Sequence, residues 1–289
     1  MARLIRYLVT LGTVALAGYV LAQMFHDYLF HPWTRDGHVR AQVIKITPRV
    51  SGPIVELPVS DNQAVRKGDL LFRIDPRTYE LAIEQAEAKL KQARASAMVS
   101  LDQATRARDL HKRDKGAISE QSLTRKENNL LVSEADVDVA RANLHAAQLD
   151  LEFTEVRAPV DGYITNLKLR QGTQTVANQP ALALIDTASF WVHGFFKETQ
   201  IRNVRSGNQA VIKLMTYPDQ PLEGIVENMG WGISQQDGQS DADLLPTINP
   251  TFDWIRLAQR IPVRIRLTRV PEDVTLRVGT TASVFITTE

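Results

Sequence analysis

Six histidines, at positions 26, 31, 38, 111, 145 and 193, are the side chains best able to bind a metal or move a proton near neutral pH. Their spacing is not ligand-like, and the chain has no cysteine to complete a zinc set. Asp237, Gly238, Asp241 and Asp243 are arranged somewhat like the start of a calcium loop. The bidentate glutamate that closes such a loop is missing, so the stretch reads as a solvated loop. Nucleophile elbows, phosphate-cradling glycine loops and His-Glu-x-x-His helices are absent as well. The chemistry points away from an enzyme, and no cofactor or metal is expected.

Bulk properties narrow the partners. The 289 residues carry 34 Lys and Arg against 33 Asp and Glu, so no net field exists to gather nucleic acid. A composition 44% hydrophobic and 23% charged is that of an ordinary folded chain with room for two or three domains. The absence of cysteine leaves the compartment open.

Two distant stretches repeat each other. Arg49-Val-Ser-Gly-Pro-Ile-Val55 running to Ile74-Asp75 superposes on Ala158-Pro-Val-Asp-Gly-Tyr-Ile164 running to Ile185-Asp186. Gly52 falls on Gly162, Ile54 on Ile164, Leu57 on Leu167 and Val59 on Leu169, and a one-residue slip brings Ile74-Asp75 onto Ile185-Asp186. Short β-branched runs broken by Pro53, Pro58 and Asp61-Asn62 mark strands and turns. The reading is a split β-module, residues 37–75 and 155–186, with a long insert.

That insert, residues 76–154, has helical period. Asp75 is a plausible N-cap with Pro76 at the first helical position. Small or apolar residues then recur at Tyr79, Ile83, Ala86, Leu90, Ala93, Ala97, Ser100, Ala104 and Ala107, in alternating steps of three and four. Gly116 breaks the helix, Ser119 or Ser122 caps a second, and a return seam follows at Leu130, Ser133, Val137, Ala140, Leu144, Ala147 and Leu151. The pattern predicts an antiparallel coiled-coil hairpin about 50 Å long. Its seam is alanine-rich, which permits close approach and buries little per layer.

The ends differ in character. Tyr7 to Phe25 is nearly all apolar or small, and Tyr28-Leu29-Phe30 continues it, enough to cross a bilayer. Arg3 and Arg6 precede the segment and place the N-terminus in the cytoplasm, with the remaining chain outside. A cleaved signal peptide ending near Val20-Leu21-Ala22 competes with the anchor over residues 7–30 of an N-terminal region 1–36, and a buried helix of a soluble domain is a third reading. Trp33 suits an interfacial aromatic. At the other end, residues 187–289 alternate as a small β-barrel or sandwich should, with strands near Phe190–Phe196, Ala210–Met215, Pro262–Leu267 and Ala282–Thr287. Gly207-Asn208, Pro218-Asp219 and Pro271-Glu272-Asp273 read as turns, and residues 238–250 as a polar excursion.

The repeat resembles the lipoyl or biotinyl carrier fold, whose two halves present a modified lysine on the turn that joins them. Here that junction opens at Asp75-Pro76 into the helices and offers no lysine, so the module reads as scaffold and the prosthetic-group carrier as the weaker reading. The whole order of anchor, half module, hairpin, half module and barrel resembles the periplasmic adaptors, or HlyD-like membrane fusion proteins, of tripartite efflux pumps. Val50-Ser-Gly-Pro-Ile54 and Arg157-Ala-Pro-Val-Asp-Gly162 carry that likeness. Phe196-Lys-Glu-Thr-Gln200 and the run Leu245 to Ile265 look like adaptors of aromatic carboxylic acid exporters, and more loosely like those of major-facilitator drug exporters.

The resemblance implies a mainly β chain with an N-terminal transmembrane helix, a single inner-membrane span, a homo-oligomeric ring, an inner-membrane exporter and an outer-membrane channel as partners, and no enzymatic turnover. It implies a channel contact at the hairpin tip, at Arg108, Gly116, Ala117, Ile118 and Ser119. Asp109 and Lys112 stand where that family's tip has leucines. It implies an exporter contact on the barrel, at Phe196, Lys197, Glu198, Thr199, Gln200, Asn249, Trp254 and Arg256. A macromolecule secretion adaptor shares the same architecture.

Overall fold

The computed structural model describes residues 10–21, 32–232, 258–271 and 273–288. In chain order the strands begin with β1 (Trp33–Arg40), β2 (Val43–Ile46), β3 (Gly52–Glu56), β4 (Ala64–Val65) and β5 (Leu70–Ile74). After two helices come β6 (Glu155–Arg157), β7 (Gly162–Thr165), β8 (Gln174–Thr175) and β9 (Leu182–Asp186). The last are β10 (Trp191–Lys197), β11 (Gln209–Leu214), β12 (Tyr217–Met229), β13 (Arg260–Arg269) and β14 (Thr281–Thr287). Helix α1 spans residues 10–21, and α2 (Arg77–Arg113) and α3 (Glu120–Glu152) form the insert. The chain divides into two compact units, residues 43–187 and residues 1–42 with 188–289.

In the first unit the repeat closes into two four-stranded sheets, ordered β2-β9-β7-β4 and β6-β5-β3-β8. Each sheet takes two strands from each half, so neither half has a sheet of its own. Equivalent positions lie 110 residues apart, as left-handed Asn62 and Gly172 show (φ 61° and 86°), and Gly68 and Asn178 (φ 92° and 64°). Cross-half bonds repeat at the same offset. Asn62 N donates to Ile164 O and Gly172 N to Ile54 O, at 3.0 and 2.8 Å. The Asp161 carboxylate accepts from Lys67 N at 2.7 Å, as the Ser51 hydroxyl does from Ala177 N at 2.8 Å.

The slip expected at the end of the repeat does not occur. Ile54 pairs with Ile74 and Ile164 with Leu184, so Ile74 corresponds to Leu184, and both are 0% exposed. Ile185 sits one residue out of phase and is half-buried, on the other face of its strand. The module core gathers Ile54, Leu71, Phe72 and Ile74 with Ile164, Leu182 and Leu184.

The second unit is a closed six-stranded barrel, ordered β1-β10-β13-β12-β11-β14. Its core includes Val39, Val192, Phe196, Ile212, Val226, Ile265 and Ile286. Two expectations are corrected. Residues 37–40 belong to the barrel, because β1 pairs with β10 and β14, and the boundary between the units falls after Gln42. Trp33 opens that strand. The turn after β11 is Met215-Thr216, with Leu214 facing Tyr217 across it. Pro218 and Asp219, expected as a turn, therefore lie within β12.

Half of the anchor expected over residues 7–30 lies outside the described residues, and α1 is its described half. Among the described residues no helix is long and apolar enough to cross a membrane. The acidic loop at Asp237 to Asp243 and the contacts expected at Asn249, Trp254 and Arg256 also lie outside them.

Candidate functional site

The most extended feature of the first unit is the helix pair. Pro76 O accepts from Tyr79 N and Glu80 N, both at 2.9 Å, so Pro76 is the cap residue and α2 starts one position later than expected. Asp75 still serves the helix end, since its carboxylate accepts from Arg77 N at 3.1 Å and pairs with the Arg77 guanidinium. That guanidinium holds the Asp75 carboxyl below its ordinary range. Extended Asp114, rather than Gly116, ends the helix, and its carboxylate accepts from Gly116 N at 2.8 Å. Ser119 caps α3 by accepting from Ser122 N at 3.2 Å.

The helices run antiparallel, as contacts at a near-constant index sum require. Ser100 bonds Ser133 at 2.7 Å, Lys126 Nζ donates to Gln103 at 2.8 Å, and Arg108 Nε donates to Glu127 at 2.7 Å. Every buried residue on α2 (Ala86, Leu90, Ala104, Ala107) and α3 (Leu130, Ser133, Ala140) lies on the two sequence seams. With 37 and 33 residues, the pair reaches about 50 Å.

At the far end Gly116 to Ser119 lie in the connection between the helices. Gly116 and Ala117 are exposed in the connection and Ile118 is half-buried. Ser119 is exposed at the cap, and half-buried Arg108, farther down α2, is tied to Glu127 of α3. Asp109 and Lys112 are exposed on the last turns of α2. Among the described residues neither makes a hydrogen bond or ion pair that explains its place there.

At the near end both helices root in the module. Ile74 N donates to Thr154 O at 2.9 Å, Tyr79 Oη donates to Ser51 O at 2.7 Å, and the Arg49 guanidinium stacks 4.5 Å above Phe153. Arg73 sits between Glu56 and Glu155, at 3.1 Å from each. Arg157 and Arg73 together hold the Glu155 carboxyl below its ordinary value.

The barrel site expected at residues 196–200 splits by burial. Phe196 is 0% exposed in the barrel core, so its side chain is removed from any partner surface, which corrects the contact expected there. β10 alternates, and inward Phe196 leaves outward Phe195 and exposed Lys197 as its neighbours. Glu198–Gln200 forms one 3-10 turn, with Glu198 and Thr199 exposed. A cavity of about 360 Å³ opens beside it, lined by Trp33, Asp36, Phe195, Lys197, Gln200 and Arg260 among others. The sequence carried no signal for the β1 side of this site, because Trp33 to Asp36 join it only when β1 closes the barrel.

Similarity to known proteins fits this geometry. Residues 42–187 match the family described as RND MFP, barrel-sandwich hybrid domain, and residues 189–287 match the AAEA-like beta-barrel domain. YdhJ of Escherichia coli K12 is 41% identical over 283 residues, 98% of each chain. The chain belongs to the membrane fusion proteins, the periplasmic adaptors. Two solved structures share the adaptor fold: the membrane fusion protein Spr0693 from Streptococcus pneumoniae R6, at TM-score 0.60 and 17% identity over 88% of this chain and 98% of that one, and a MacA-MexA chimera bearing the Pseudomonas aeruginosa MexA α-hairpin, at 0.57 and 22% over 90% and 84%.

Proposed function

We infer that this adaptor bridges an inner-membrane exporter to an outer-membrane channel within a tripartite efflux system, and that the cargo is a small aromatic carboxylic acid. The observation that carries the bridging role is the helix pair. About 50 Å of antiparallel helix, rooted at both feet in one interlocked module, ends in a tip where Gly116, Ala117 and Ser119 are exposed. In this reading residues 7–30 anchor the chain in the inner membrane, several copies form a ring, and Ala117, Ser119 and Arg108 meet the channel. Lys197, Glu198, Thr199 and Gln200 face the exporter, joined by Asn249, Trp254 and Arg256. The AAEA-like barrel and the Phe196-to-Gln200 stretch support the aromatic-acid cargo over a drug or a macromolecule.

The test is Ala117→Glu with Ser119→Asp. Aspartate caps a helix as well as serine, so α3 keeps its start while the tip gains two negative charges. Export of aromatic acids should fall to that of a deletion strain, with the level of adaptor in the membrane unchanged. Full export by that variant, or crosslinks from residue 117 that capture no outer-membrane protein, would overturn the bridging role. Unchanged tolerance of aromatic acids on deleting the gene would overturn the cargo.

A further inference from the structure

The cavity at the barrel edge is built rather than incidental. A bulge in β1 between Thr34 and Gly37 turns Arg35 and Asp36 outward. Thr34 fixes that bulge, donating to Phe195 O at 2.7 Å and accepting from Asp36 N at 3.0 Å. Phe195 is held in turn by ring contacts with His38 and His193, at centroid distances of 6.1 and 5.7 Å. Both oxygens of Asp36 are occupied, one by His38 Nε2 at 3.1 Å and the other by Arg260. Among the described residues lining the cavity, the one carboxylate is therefore matched by one of three cations.

That leaves Arg35 and Lys197. Neither has a carboxylate within ion-pair distance among the described residues. The Arg35 guanidinium lies 5.6 Å from the Trp33 ring centroid, which places a cation at the edge of an aromatic wall. Two aromatic faces, two uncompensated cations and about 360 Å³ of space suit a flat, singly negative molecule smaller than a drug.

We propose that this cavity binds a small aromatic carboxylate, its ring against Trp33 and Phe195 and its carboxylate on Lys197 and Arg35. The site deepens the aromatic-acid reading and shares Lys197 and Gln200 with the surface assigned above to the exporter. It gives the adaptor a cargo-sensing surface of its own, outside any pore of the exporter.

The experiment uses the purified full-length adaptor in detergent, without exporter or channel, so that its outcome is independent of whether bridging is correct. Benzoate is titrated by ligand-observed NMR, with acetate and benzamide as the charge-only and ring-only probes. Benzoate should saturate at or below about 5 mM, with acetate and benzamide at least tenfold weaker. Lys197→Gln should weaken benzoate at least fivefold, Arg35→Gln with Lys197→Gln should abolish saturation, and Lys213→Gln on β11 should change nothing. Circular dichroism melts of these surface variants serve as the folding control. Failure of benzoate to saturate, equal binding of acetate, or wild-type binding by the folded double variant would each overturn the site.

Discussion

Replacing Gly162 by alanine should open the β-module far more than the same change at Gly52, its counterpart in the other half. A Cβ on Gly162 would lie 2.2 Å from Ile185 O, 3.0 Å from the carbon of that carbonyl and 3.2 Å from Leu184 Cγ. The obstacle is the backbone of β9, to which β7 is paired through Gly162 and Asp186. Relief needs the strands to part by about 1 Å, at the cost of one or two ladder bonds near 1 kcal/mol each and about 1–3 kcal/mol of overpacking. A loss of about 3–4 kcal/mol follows. At Gly52 the added carbon meets one atom, Ile74 Cγ2 at 2.6 Å, which is the end of a side chain that can rotate. An off-rotamer shift with mild overpacking costs about 1–2 kcal/mol. The entropic gain of Gly→Ala is common to both sites and cancels in the comparison. The gap of about 2 kcal/mol corresponds to roughly thirtyfold in the local opening constant. Hydrogen exchange on the intact chain, followed by mass spectrometry over residues 52–74 and 162–186, reads that constant directly. Because Ser51 and Asp161 bond across the halves, both peptides should lose protection together in either variant. Opening in Gly52→Ala as large as in Gly162→Ala, or a Gly162→Ala protein within twofold of wild type, would refute the reasoning.

Two further outcomes follow from the helices and the barrel. The Ser133 hydroxyl donates to Asn129 O at 2.8 Å, so the Ser100 hydroxyl must donate to Ser133, at 2.7 Å. Ser133→Ala should cost about 1 kcal/mol by stranding Ser100, and adding Ser100→Ala should add little, a coupling that a double-mutant cycle of thermal melts detects. His193 has a pKa below its ordinary 6.5, first through burial and then through Arg40 and Arg264. The unfolded chain therefore takes up this proton before the folded barrel does, and the barrel loses stability as pH falls from about 6.5 towards the depressed value, with no contribution above 6.5. His193→Gln should flatten that acid limb in denaturant titrations.

Legibility in the sequence followed the kind of physics involved. The hairpin seams were readable residue by residue, because helical contacts are local and a three-four period forces Ala86, Ala104, Leu130 and Ala140 onto facing stripes. The repeat was readable from Gly52 and Gly162, where a side chain would collide. Its true phase needed the pairing of Ile74 and Leu184, since the similar dipeptides Ile74-Asp75 and Ile185-Asp186 suggest a slip that the sheets do not make. Strand β1 escaped notice because its partners, β10 and β14, lie some 150 and 240 residues away, so no local pattern marks Trp33–Arg40 as barrel. The same distance hid the cavity, whose walls come from both ends of the unit. Phe196 was visible as part of a resemblance, yet strand alternation alone places it opposite in facing to Lys197 and so cannot put both on one surface.

The position of the insert explains why a weak seam suffices. β5 and β6 are paired through Phe72 with Val156 and Arg73 with Glu155, so the chain leaves and re-enters the module at neighbouring points. An insert closed at its base by two paired strands pays little further loop entropy whatever its length. The alanine layers then need only keep the two antiparallel helices side by side, while the direction of the pair is set at its root by Tyr79 on Ser51, Arg49 on Phe153 and Arg73 between two glutamates. A long lever fixed this way transmits any loosening of its base to the tip. Module variants such as Gly162→Ala should therefore impair docking at the tip even where exchange within α2 and α3 is unchanged, which separates the module's role as a mount from a role in merely keeping the chain folded.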